Sequence, residues 1–432
     1  MLDRSIAPEL RSFEDLSFDY PQYITLSNGL KLYVVNSGDQ EVSKFEMICR
    51  GGLLEESKPL QSFALSSMLV HGTTEMSSSD VSEMLDYNGA YMNATSADNY
   101  THISLNSLNK NINEVLPLLR SLIENPAIPE REFEVLKAQV KSAYQTAREK
   151  VKYIAQVAGR QMYFGENHPI AYAITDNDVD GLTRADVLDF HKKFFRPENM
   201  ILVMSGKVGD KEIECIEKCF GVESITNQPN ELRSVERTPS ANRQSVVHKE
   251  GALQSAVYMM HEAVPRNHPD YINMRFLVTA LGGYFGSRLM QNIREDKGYT
   301  YGINSMLIGR KSGSKVVIAS ECDNVYAEPL IEETRKEILR LQNELMCDEE
   351  LEIVRNCMLS DLAKTLDSPF SMASCVSSNI LYGTGEDYYN RQVRDIKNIT
   401  AKKLLEVANE QLNVDEFYVS VAGDKKTIDI IM

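Results

Sequence analysis

The sequence predicts an α/β protein, in the α+β sense, made of two duplicated domains. Each holds a mixed, mainly antiparallel sheet packed with helices. Three observations predict it. Matching segments recur in the same order about 217 to 219 residues apart. Each half opens with alternating apolar residues near a glycine-containing turn and closes on an apolar strand, MILVMSG or FYVSVAG. Between the halves runs a stretch rich in Asn, Pro, Ser and charge, which reads as a linker. The expected domains span residues 15–222 and 244–432, with the linker at 223–243. A repeat of this length is a domain duplication and not a solenoid, and about 200 residues bury a substantial core.

The elements follow in order. ITLSNGLKLYVVN sets an Asn-Gly turn between alternating apolar residues, a hairpin signal. RQSVVHKEGALQSAVYMMHEA does a similar job in the second half. In QSFALSSMLVHGTTEM, residues 61–76, Leu60, Phe63, Ala64, Met68 and Leu69 recur at helical spacing, and Gly72-Thr73 ends the helix. Two serines, Ser66 and Ser67, sit in its middle, although the serine hydroxyl competes for backbone hydrogen bonds. NATSADNYTHISL reads as a strand after a Gly-Ala turn. REFEVLKAQVKSAYQ and EELEIVRNCMLSDL are acidic-rich helices in matching positions. Each is followed by an aromatic-Gly stop and a threonine placed to cap the next helix. Thr183, with Asp186 three residues on, has capping-box spacing. In GSRLMQNIREDKGYTYG, Ser287 is placed to cap a helix and Gly298 to end it. Leu289, Met290 and Ile293 line one side. Tyr299 and Tyr301 then share one face of a strand.

Composition narrows the partners. The chain has 432 residues, 43% hydrophobic and 25% charged, with a net charge of -16. No run of Lys and Arg offers a phosphate-binding surface, so nucleic acid is not an expected partner. No apolar run of about 18 residues occurs, so no membrane span is expected. The amino-terminal MLDRSIAPELRSFEDL lacks the apolar core of a signal peptide. A cytoplasmic protein is expected, or a periplasmic one if a signal has been removed. The seven cysteines are scattered, without zinc-ribbon spacing, and fit a reducing compartment or burial as small hydrophobes.

Four segments together resemble the insulinase/pitrilysin family of inverted-zincin metallopeptidases. They are NGLKLYVV, CRGGLLEES with the helix ending MLVHGT, NATSADNYTHISL, and GGYFGSRLMQNIREDKGYTYGINS. The likeness covers about residues 23 to 425 and implies the mitochondrial-processing-peptidase-like metallohydrolase fold. That family carries H-x-x-E-H on a helix, where residues four apart share a face and reach one ion. The intervening Glu acts on metal-bound water. The resemblance places the two ligand positions at Phe63 and Ser67 and the base position at Ser66. It places the third ligand between Lys137 and Tyr144, where KAQVKSAY has no carboxylate. Phenyl and neutral hydroxyl groups are not zinc ligands, so no metal is expected on this chain. His71 with Glu75 forms the nearest substitute pair, and a surface His and Glu around a turn is the commoner arrangement. His102 reads as a structural histidine on a strand and His168 as part of a turn. His191, His248, His261 and His268 show no paired spacing.

The resemblance also assigns what is kept. Arg294 and Tyr301, seven residues apart, match the family's pair that binds the substrate backbone and stabilises the tetrahedral intermediate across the active site. A guanidinium and a phenol suit a developing oxyanion. The residues alone favour an arginine placed by the helix dipole and a tyrosine packed in a sheet. Asn93, Ala94 and Thr95 match the strand that pairs with extended peptides. One reading follows: a non-catalytic subunit of a heteromeric zinc peptidase, supplying Arg294 and Tyr301 in trans to a homologous zinc-bearing partner. The cofactor would then be the partner's zinc. The alternatives are a structural or peptide-binding scaffold with a peptidase fold, and an independent metallopeptidase with unusual ligands. Heterodimer and self-dimer both remain open.

Overall fold

The computed structural model describes residues 16–310 and 313–424. The stretch read above for a signal peptide thus lies, up to residue 15, outside the described residues, as do the first residue of the first expected domain and the last eight of the second.

The first half runs β1 (Tyr23–Thr25), β2 (Lys31–Asn36), β3 (Val42–Arg50), α1 (Gln61–Met68), α2 (Ser78–Tyr87), β4 (Tyr91–Ser96) and β5 (Tyr100–Leu108). It continues through α3 (Ile112–Glu124), α4 (Glu130–Arg148), α5 (Val151–Phe164), α6 (Asp176–Gly181), α7 (Arg184–Phe194), β6 (Met200–Gly206) and α8 (Asp210–Phe220). The second runs β7 (Gln244–His248), β8 (Gln254–Ala263), α9 (Tyr271–Val278), β9 (Thr300–Arg310) and β10 (Gly313–Asp323). It then adds α10 (Ala327–Asn343), α11 (Asp348–Leu366), α12 (Pro369–Tyr382), α13 (Tyr388–Asn398), α14 (Ala401–Gln411) and β11 (Tyr418–Gly423). Between α9 and β9 the chain makes wide i→i+5 turns over Thr279–Gly283 and Met290–Asp296.

The duplication is visible in the topology. The first sheet has the order β1-β2-β6-β3-β5-β4 and the second β7-β11-β8-β10-β9. Past the extra strand β1, the two orders match position for position. In each, one parallel pair (β2 with β6, β7 with β11) joins an otherwise antiparallel ladder. The mixed, mainly antiparallel sheets expected from the sequence are present. Helices α4 and α11 have 19 residues each, and α5 and α12 have 14 each.

The Asn-Gly hairpin forms, with Gly29 at φ 93°, a left-handed value that glycine adopts without steric cost. The capping box at Thr183 forms, with Asp186 N–H donating to Thr183 Oγ1 and Thr183 N–H to Asp186 Oδ2. Three expectations need correction. β7 and β8 are not a hairpin, because β11 lies between them. NATSADNYTHISL is two strands, β4 and β5, joined by a turn at Ala97–Asn99. Ser287 caps nothing: its Oγ is buried and unpartnered, and only its carbonyl accepts, from Gln291 N–H. Gly298, at φ 66°, does end the segment, with Tyr299 N–H returning to Ile293 O.

The halves do not each keep their own helices. Helix α5 of the first half lies on β8 and β11 of the second sheet, and α12 of the second half lies on β2 and β6 of the first. Ala155, Met162, Tyr163 and Phe164 of α5 share one apolar cluster with Ala256, Tyr258, Met260 and Val317. At Gly159 an added Cβ would meet the Tyr258 ring at 2.7 Å, so glycine permits the close approach. Buried Ser420 donates to Ala155 O at 2.6 Å. Burial against the other half's sheet removes the apolar face of each helix from water. The connector is also fastened down. Thr238 and Ser240 N–H donate to Phe164 O and Met162 O, and Arg233 N–H donates to Glu55.

Candidate functional site

Helix α1 begins at Leu60, which holds a left-handed φ of 74°. Its first turn is secured by carboxyl and amide oxygens. Glu56 Oε1 accepts from Ser62 N–H at 2.7 Å and from Ser62 Oγ at 2.6 Å, and Glu56 Oε2 accepts from Leu60 N–H. Gln61 Oε1 accepts from Ser57 and Lys58 N–H. Ser96, at the end of β4, donates to Ser62 Oγ at 2.6 Å. A chain Ser96–Ser62–Glu56 thereby ties the helix to the edge strand beside it. Sequence reading did not single out these three residues, although GGLLEES flagged the segment. Burial pushes the Glu56 carboxyl up to about 7, despite the hydrogen bonds from Ser62 and Leu60 that favour its charged form.

The three positions matched to the family's zinc helix fall on α1 and do not fit a metal. Phe63 is 43% exposed. Ser66 is buried and its Oγ donates to Phe63 O at 2.9 Å, a bond within the helix. Ser67 is half-buried. A phenyl ring and two hydroxyls, one already engaged with the backbone, offer a divalent cation no anionic or imidazole donor. On α4, Lys137 and Lys141 turn to Asp180, and Tyr144 packs on the first core close to Glu56. Among the described residues no three His, Cys, Asp or Glu side chains converge on a point.

The histidines serve local structure. His71 meets Ser78 Oγ at 3.3 Å, and Glu75 N–H goes to Thr73. His102 lies 3.3 Å from buried Glu46, which also holds Lys44 at 2.7 Å. His168 accepts from Ile170 N–H, His191 bonds Ile123 O, and His268 accepts from Asp270 N–H. Burial holds His168, His191 and His261 below the ordinary imidazole range. His248 lies 3.7 Å from Asp424.

Asn93, Ala94 and Thr95 are on β4, the outer strand of the first sheet, opposite Ser104, Ile103 and His102 of β5. Asn93 and Thr95 are exposed, while Ala94 turns toward the first core. An outer strand offers an unpaired ladder edge, and exposed polar side chains leave it open to an added strand.

Arg294 and Tyr301 belong to the second half. Leu289 and Ile293 are fully buried, which turns Arg294 outward on the Met290–Asp296 segment. Tyr301 on β9 is 94% exposed. Both border one depression of about 360 Å³, shared with Tyr299, Glu321 and Asp323. The Arg294 guanidinium lies 4.7 Å from the Phe285 ring centroid and pairs with Glu295. Tyr299 stacks on Tyr326 at 4.7 Å. The structure therefore brings the arginine and the tyrosine to one open surface, on a different sheet from the altered helix α1. No helix among the described residues is long and apolar enough to cross a membrane.

Comparison with known proteins places these features. The family model for insulinase, peptidase family M16, matches residues 34–167, and the one for the peptidase M16 inactive domain matches residues 181–358. An uncharacterized zinc protease of Bacillus subtilis is 21% identical over 83% of this chain and 87% of its own. A Helicobacter pylori protein described as a non-peptidase homolog is 21% identical over 59% of each chain. Among solved structures, a peptidase M16 inactive domain from Pseudomonas fluorescens superposes with a TM-score of 0.86 at 18% identity, covering 95% of this chain and 100% of that one. A chain of complex III2 from Candida albicans superposes at 0.75 and 16% identity, over 93% of this chain and 95% of that one.

Proposed function

From the premise that the chain belongs to the M16 insulinase family, we propose that it is the non-catalytic subunit of a heteromeric zinc peptidase. It binds an extended peptide and supplies Arg294 and Tyr301 to a reaction on a homologous partner's zinc. One contrast carries the reading: the helix that should hold zinc bears Phe63, Ser66 and Ser67, whereas Arg294 and Tyr301 are kept and line one open depression. Tyr301 is 94% exposed and stands beside Arg294, so both side chains are open to a bound peptide. The Helicobacter pylori relative described as a non-peptidase homolog supports the loss of autonomous catalysis. The neighbour found in complex III2 supports assembly with other chains.

In this reading Tyr301 and Arg294 donate hydrogen bonds to the peptide carbonyl as it becomes an oxyanion, and Arg294 leaves Phe285 and Glu295 to do so. The edge of β4 pairs with the peptide main chain. Zinc, held by the partner, supplies the activated water. Reconstitution with a zinc-bearing homologue tests this. Arg294→Ala and Tyr301→Phe should each lower kcat of the mixture by about 10²–10³-fold, the usual cost of removing one oxyanion donor, without changing the melting temperature. Unchanged turnover in both variants sinks the proposal.

A further inference from the structure

The second sheet contains a buried lysine that no carboxylate among the described residues answers. Lys315 lies on β10, on the face that α5 covers, and is 4% exposed. Its ammonium sits 4.4 Å from the Phe164 ring centroid and 5.9 Å from that of Tyr163. Glu262 stands directly across the ladder, where a counter-ion belongs. Its carboxylate is instead exposed and bound to Arg237 at 2.7 Å. Among the described residues Lys315 has no ion-pair partner.

Its neighbours carry the same charge. Arg310 from β9, Arg160 from α5 and Arg237 from the connector all oppose the ammonium. Arg310 contacts Asp98 at one end of its guanidinium, but its Nε is buried without a partner. Arg310 also borders a cleft of about 300 Å³ with Asn99, His102, Ile308 and Tyr382, and Ile308 is the ladder neighbour of Lys315. Lys315, Arg310, Arg160 and Arg237 are thus gathered with Glu262 and Asp98 at one seam of a chain whose net charge is -16. A buried charge without a counter-ion is costly. Burial and the three arginines push the ammonium down to about 7.

We propose that Lys315 and Arg310 form a binding site for a small oxyanion, a carboxylate or a phosphate, at the seam between the two halves. Arg160 and Phe164 come from the first half, Arg237 from the connector, and Lys315 and Arg310 from the second. A bound oxyanion supplies the missing counter-charge and fastens the three together. The inference is independent of the role of Arg294 and Tyr301.

Melting of the full chain in chloride buffer of constant ionic strength tests it. The probes are inorganic phosphate, trialanine, and trialanine amide, which lacks the terminal carboxylate. A saturable rise of a few degrees with phosphate points to the free ion as ligand. The same rise with trialanine but not its amide points to a peptide terminus, and either result supports the site. Lys315→Met and Arg310→Gln should each weaken the effective probe by about tenfold or more, the usual worth of a hydrogen bond to a charged group. In probe-free buffer Lys315→Met should melt no lower than the parent. If one variant fails to fold, the other carries the test. The absence of any saturable shift overturns the proposal. So does a shift equally large in both variants, or one that trialanine amide reproduces in full.

Discussion

Ser66 and Ser67 show what a residue alone conveys. Their positions raised the question of an altered zinc helix, and the structure commits the Ser66 hydroxyl to a bond within the helix. The residue that dominates the electrostatics beside them, Glu56, carries no spacing signal. Its carboxyl is raised because α1 and β4 close over it, an event of tertiary packing. A carboxyl raised from 4.5 to about 7 binds its proton more tightly folded than unfolded. Between those values the folded protein holds a proton that the unfolded chain has released, so stability falls as pH rises through the window. Glu56→Gln should therefore flatten the loss of stability between about pH 5 and pH 7. Urea midpoints of the two proteins across that range check it, and parallel curves contradict it.

At the scale of elements, the exchanged helices decide the architecture. Helices α5 and α12 have equal length and matching positions in the two halves, and their closing QMYFG and NILYG stops were legible in the repeat. Their docking was not, because an apolar face is compatible with either sheet. What selects the second sheet for α5 is contact detail: Gly159 against Tyr258, and Ser420 against Ala155 O. Gly159→Leu forces a side chain into a filled seam, where overpacking costs typically 1–3 kcal/mol. The expected result is a melting temperature lowered by several degrees, with the far-ultraviolet circular dichroism preserved at low temperature. An unchanged melting temperature would show that the seam is loosely packed.

At the scale of the whole molecule, the connector is a strap and not a tether. Arg233 bonds Glu55, Thr238 and Ser240 bond the end of α5, and Arg237 pairs with Glu262. The stretch 226–229 is exposed and is the place for a protease to cut. After a single cut there, the two fragments should still elute together at the size of the intact chain, because the exchanged helices hold them. Separation in native buffer contradicts the exchange. Cutting should also leave any anion-dependent stabilisation at Lys315 in place, since its groups lie outside the cut.

The sequence by itself determined the duplication, the mixed sheets and the unsuitability of residues 63–67 for zinc, because these rest on residue type, order and spacing along the chain. The family resemblance, and not spacing alone, singled out Arg294 with Tyr301 as a pair. Tertiary structure alone decided the rest. It set which sheet each long helix covers, how Glu56 comes to lie under α1, and how Lys315 comes to face arginines from α5 and the connector as well as one from its own hairpin. Those outcomes depend on long-range packing and on the loss of water around charged groups, neither of which leaves a period or a motif in the chain.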